Sequence, residues 1–124
     1  MIAIGNLNTD RSQFDEVWGI VRSSRQLPKD VFHAPLLSPS NELFQQYLHW
    51  RAEGEWTQEK FDKEYTPIFK QELQNPKVQT LLKNLIKKAE TKNILLVCFC
   101  KDERMCHRKL VFEEIERLIK QNTD

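Results

Sequence analysis

Residues Ile94 to Cys100 read ILLVCFC, and no other stretch of the 124-residue chain restricts its fold as tightly. Side chains of an extended segment alternate between two faces, so Ile94, Leu96, Cys98 and Cys100 share one face and Leu95, Val97 and Phe99 the other. Both faces are apolar, as a central parallel strand covered on each side requires. Lys101, Asp102, Glu103 and Arg104 are too polar to continue the run and predict a solvated turn, with Asp102 as N-cap of the helix after it. From Cys106 onward, Leu110, Val111, Ile115, Leu118 and Ile119 recur at three- and four-residue spacing among charged residues, which predicts an amphipathic helix of about four turns. Strand, turn and helix place Cys106, His107 and Arg108 in the first turn. Backbone N–H groups there lack intrahelical partners, the helix dipole is positive, and an anion is favoured. In open α/β sheets, ligands bind beyond the carboxyl ends of the strands, which is where this turn belongs.

The rest of the chain supplies partners for that strand. Met1 to Leu7 reads as a first strand stopped at Gly5-Asn6, and Phe14 to Ser23 fits either a second strand ending at Arg22 or a short helix, with the apolar run Gly19-Ile20-Val21 before Arg22 favouring the strand. Arg22-Ser-Ser-Arg25 then makes another turn at a strand end. Val31 to Leu37 is expected to be extended around Pro35, with His33 at an edge. Ser38 or Ser40 caps a helix that carries Leu43, Phe44, Tyr47, Leu48 and Arg51 and stops at Gly54. Thr57 opens the next helix, whose Pro67 predicts a kink or a break, and Pro76 suits the first turn of a third. The expectation is a single domain over 1–124, α/β in class, with a small, mostly parallel sheet flanked by four or so helices in a Rossmann-like three-layer arrangement.

Charge and cysteine content narrow the partners. Lys and Arg total 19 against 18 acidic residues, and a net charge of +1 gives no broad attraction to nucleic acid or anionic membrane. Nucleic acid is therefore not the favoured ligand. Three cysteines without framework spacing, no signal peptide and no apolar run able to span a bilayer point to a reducing cytoplasm.

Three motifs carry a resemblance: LLSPSNELFQQY at 36–47, the W-x4-F-x3-Y spacing of Trp56, Phe61 and Tyr65, and the closing LLVCFC…CHR. Together they make the chain similar, over about residues 21–118, to the YeaO-like group of the family called domain of unknown function 488, or DUF488. The resemblance implies a small α/β domain with the Cys-His-Arg turn as its site, and brings no settled reaction with it.

Four chemistries compete for that turn. Cys98 and Arg104 have the separation of a cysteine-phosphatase loop, but Asp102 and Glu103 between them would repel phosphate. Cys98, Cys100, Cys106 and His107 are donors that zinc accepts, yet neither a C-x2-C knuckle nor an H-x3-H pair is present, so no metal ligand is assigned. A helix N-terminus beside Arg108 lowers a cysteine's pKa and favours thiol redox chemistry at Cys106, with Cys98 and Cys100 filling a core. The fourth reading asks least: Arg108, His107 and free amides bind a small anionic group, phosphate-bearing and of nucleotide type, with Arg22, Arg25 and Cys98 contributing. Cys106 is then the candidate nucleophile and His107 the candidate acid or base, with no cofactor specified. The alternative is a non-catalytic binding or regulatory domain that recognises a phosphate, a partner protein's acidic group or nucleic acid. Trp50, Trp56 and Tyr65 recur at helical spacing and read as core.

Overall fold

A computed structural model describes residues 1–100 and 102–123, and in it the predicted central strand lies between two others. The sheet contains β1 (Ile2–Asn6), β2 (Glu16–Gly19), β3 (Phe32–His33) and β4 (Ile94–Cys98), in the order β1-β4-β2-β3 with every pairing parallel. Ile94 stands opposite Ile2 on one side and Glu16 on the other, and Cys98 opposite Asn6. Every residue of β4 is buried.

The two apolar faces of β4 have different covers. Ile94, Leu96 and Cys98 enter the main core with residues of all the longer helices, including Leu43, Phe69, Leu82 and Val111. Leu95 and Val97 pack with Val17 and Val31 into a smaller core closed by Leu7, Phe14 and Leu27. That second face is closed by loop residues, because the β1–β2 and β2–β3 connections carry no α-helix. Leu96 is completely buried. Leu96→Ala is expected to cost about 2–5 kcal/mol in unfolding free energy, read from the urea midpoint, because the closely packed helices cannot collapse into the gap.

The helices follow the predicted signals with local corrections. Ser40 caps α1 (Asn41–Ala52), its Oγ accepting from Leu43 N at 3.1 Å, and Gly54 ends the segment at φ +70°, where a Cβ is disfavoured. Thr57 caps α2 (Gln58–Lys60) through Lys60 N at 3.1 Å. The break expected at Pro67 is a π turn over Phe61–Tyr65, in which Thr66 N reaches back five residues to Phe61 O, and Pro67 then falls in the opening turn of α3 (Thr66–Glu72). Pro76 opens α4 (Pro76–Lys88), and the last helix, α5, is His107–Thr123.

Four expectations are corrected. Strand β2 stops at Gly19 rather than Arg22, although Ile20 N still donates to Val97 O at 2.9 Å. Residues 31–37 are not extended throughout: Pro35–Leu37 is a 3-10 turn that buries Leu37, which the fixed φ of proline permits. Strand β4 stops at Cys98 because neither neighbour runs further, leaving Phe99 43% exposed and Cys100 half-buried in the turn. Asp102 does not cap α5; a 3-10 turn at Glu103–Met105 intervenes, and Asp102 caps that turn through Arg104 N at 3.0 Å. Lys101 and the side chain of Glu103, expected in the solvated turn, lie outside the described residues.

A polar network ties α5 to the preceding helices. The buried Glu114 carboxylate receives Arg117 at 2.7 Å, Gln79 at 2.6 Å and Gln74 at 3.0 Å. Arg117 is the largest influence holding its pKa below the ordinary carboxylate value. A carboxyl group with a depressed folded pKa contributes stability that is present above its unfolded pKa and lost as pH falls through the folded one. The urea midpoint is therefore expected to drop as pH falls below about 4, and Glu114→Gln to flatten that drop while lowering stability at neutral pH. No described helix is long and apolar enough to cross a membrane.

Candidate functional site

An all-parallel sheet puts the carboxyl ends of its strands along one edge, so Asn6, Gly19, His33 and Cys98 emerge on the same side. The chain turns back from Cys98 into α5 there, while Ile20 to Ser23 leave β2 beside it. This convergence builds the site. Cys98 Sγ and Cys106 Sγ, eight residues apart, are 3.0 Å from each other, and the thiols of Cys98, Cys100 and Cys106 all lie within 4.8 Å. Cys98 and Cys106 are buried and Cys100 is partly open.

Two side chains of the first α5 turn hold this cluster. His107 is buried, and its Nε2 lies 2.5 Å from Ile20 O. A carbonyl only accepts, so Nε2 carries the proton and Nδ1 is left as an acceptor, 3.8 Å from Cys106 Sγ. Burial pushes the imidazole pKa down and keeps the ring neutral. Arg108 is only 3% exposed. Its Nη1 donates to Gly5 O at 3.0 Å, Cys100 O at 2.9 Å and Cys98 Sγ at 3.4 Å, linking the end of β1 to the turn after β4.

The three thiols share charge unequally. Hydrogen bonds from Cys100 and then Cys106 hold Cys98 far below the usual thiol value, and the charge of Arg108 acts in the same direction. The hydrogen bond to Cys106 pulls Cys100 down, but its bond to Cys98, its burial and the charge of Cys98 outweigh that pull and bring it to about 11. Cys106 is pushed up by its hydrogen bonds to Cys100 and Cys98 and by burial. These influences favour the thiolate at Cys98, whose Sγ accepts from Arg108 Nη1 at 3.4 Å. Three thiol donors at this separation are also what a thiophilic ion would find.

Above the thiols opens a cleft of about 420 Å³, with Cys98, Cys100, Cys106 and His107 in its floor. Its walls are aromatic. Trp56 stands edge-on to Tyr47 at 4.8 Å and to Tyr65 at 5.6 Å, and Phe44 and Phe99 complete the lining. Two cations occupy the rim. Arg22 lies 4.4 Å over the Phe44 ring with Nη2 donating to Asn41 Oδ1 at 2.9 Å, and Arg51 Nη1 donates to the Tyr47 hydroxyl at 3.3 Å.

Of the residues singled out in the sequence, Cys98, Cys106, His107 and Arg22 come together around this cleft. Arg25 and Arg108 do not line it. Arg25 sits in an exposed loop, with its backbone N–H on Ser23 Oγ. Arg108, expected as a phosphate fork, faces inward and braces the strand ends, donating to the carbonyls of Gly5 and Cys100 beneath it. Asp102 is held by Arg104 at 3.1 Å. Trp50 and Tyr65 are buried as expected, whereas Trp56 is only partly covered. Arg51, Tyr47 and Phe44 were not legible as site residues; their helical spacing in α1 shows a common face but not what that face meets.

No curated protein and no solved structure matches the chain. A family model described as DUF488-N3a, the active DUF488-N3 subclade, matches residues 2–119, and the chain belongs to the DUF488 family.

Proposed function

We propose that the cleft binds a small anionic ligand bearing a planar group, a nucleotide or a related phosphorylated metabolite, and that the thiol floor acts on it. The observation that carries this reading is the combination in one cleft of aromatic walls, two rim guanidiniums and a reactive floor. A volume of about 420 Å³ suits a small molecule rather than a polymer. Aromatic faces take a planar group, and arginine forks take phosphate oxygens in pairs. The family model's description of its subclade as active supports chemistry as well as binding.

The floor residues have distinct roles in this reading. Cys98 carries the thiolate that attacks an electrophilic centre of the ligand, with Arg108 as its positioning residue. His107 Nδ1 is the acceptor for the Cys106 proton, so Cys106 and His107 form the acid–base pair that serves the leaving group. This assigns the nucleophile to Cys98 in place of Cys106.

Calorimetric titration with nucleoside monophosphates, the parent nucleosides and inorganic phosphate tests the binding. A ligand of about 23 non-hydrogen atoms at ~0.3 kcal/mol each gives about 7 kcal/mol, or a Kd on the order of 10 µM. The monophosphates are expected to bind more tightly than either part alone. No saturation by any of them at millimolar concentration overturns the reading.

A further inference from the structure

We infer that Cys98 and Cys106 form a dithiol that a hydroperoxide converts to an internal disulfide, with Cys98 as the oxidised sulfur and Cys106 as the resolving one. The inference rests on the floor being reactive thiol, as in the proposed function, and is independent of which ligand fills the cleft. Three observations place the roles. The two sulfurs are already 3.0 Å apart. Arg108 Nη1 lies 3.4 Å from Cys98 Sγ, where it stabilises the thiolate. Cys98 and Cys106 both line the cleft, which provides an approach for a molecule as small as a hydroperoxide.

Distance favours this chemistry over coordination of an ion. Two thiolates on one tetrahedral zinc ion, each about 2.3 Å from the metal, are about 3.8 Å apart, so the Cys98–Cys106 pair would have to open to admit it. A disulfide needs the pair to close by about 1 Å. The guanidinium on Cys98 also occupies sulfur lone-pair space that an ion would need.

The reaction balances in two steps. The Cys98 thiolate attacks the outer oxygen of ROOH; the O–O bond breaks, Cys98 becomes a sulfenic acid, and RO⁻ takes up a proton and leaves as ROH. Cys106 attacks the Cys98 sulfur as its proton passes to the departing hydroxyl; the S–O bond breaks, water leaves, and the disulfide remains. Cys100, the most open of the three, stays a free thiol.

The test treats the full chain, reduced and freed of metal by chelation, with stoichiometric hydrogen peroxide, then alkylates it and maps the peptides. The expected product has a mass lower than the reduced chain by two hydrogens before alkylation and, after it, Cys98 linked to Cys106 with only Cys100 alkylated. Cys106→Ser is expected to trap a sulfenic acid at Cys98 that dimedone captures, and Cys98→Ser to leave Cys106 unlabelled. Linkage through Cys100, a link between two chains, or dimedone capture at Cys106 rather than Cys98 overturns the inference, as does full recovery of three alkylated thiols. Should both variants fail to fold, the wild-type peptide map alone decides. Calorimetric titration of the reduced chain with nucleoside monophosphates, run in parallel, reports on the ligand reading separately.

Discussion

Arg108→Ala is expected to lower the unfolding free energy by about 3–5 kcal/mol, far more than the loss of a surface cation, because it strips two partly buried carbonyls and the buried Cys98 sulfur of a charged donor. Gly5 O belongs to β1 and Cys100 O to the turn after β4, so one guanidinium joins an outer strand to the segment that carries the thiols. A hydrogen bond from a charged donor contributes about 1.5–3 kcal/mol, and two of them account for most of the predicted loss. Arg108→Lys keeps the charge but not the fork and should recover only part of it. The measurement is the urea midpoint of the three proteins at neutral pH. A loss below about 1 kcal/mol for the alanine variant would match an exposed arginine and contradict the bracing role.

The second large effect concerns the rim. The double substitution Arg22→Ala, Arg51→Ala is expected to weaken nucleoside monophosphate binding about 10- to 100-fold, since a charge-assisted hydrogen bond contributes about 1.5–3 kcal/mol and 1.4 kcal/mol is tenfold in affinity. Both side chains are exposed at the cleft mouth, and stability should change little. Binding by the wild type should weaken with added salt, and the double variant should lose most of that dependence. Equal loss of affinity for the uncharged nucleoside would show that the arginines shape the cleft without contacting the phosphate.

Much of the architecture was legible because one signal dominated. A run apolar on both faces belongs inside a parallel sheet, and β4 is inside one. The caps at Ser40 and Thr57 and the place of Pro76 came from side-chain chemistry that acts within three residues. The corrections arose where tertiary partners decide. A strand continues only as far as its neighbours, and nothing in residues 94–100 reveals that β1 and β2 end where they do. Phe99 thus fits the alternating pattern and still faces solvent.

The site shows the same division. The clustering of cysteines with His107 and Arg108 marked the right turn, and strand-to-helix geometry placed it at the correct edge of the sheet. Spacing argued against a metal site, because C-x-C and a five-residue gap match no metal knuckle, and it did not reveal that the 3-10 turn folds that gap back and brings Cys106 to Cys98. The direction of Arg108 was not legible either. A first-turn arginine can face a ligand or the strand ends beneath it, and only the placement of the Gly5 and Cys100 carbonyls decides between them.

A crystal structure of the reduced chain with a bound nucleoside monophosphate tests the central claim most directly. The account predicts the base against Trp56 or Tyr47, the phosphate within hydrogen-bonding distance of Arg22 or Arg51, and the ligand in contact with the floor that holds Cys98. A ligand seated elsewhere on the protein, with the cleft empty above the three thiols, would contradict it.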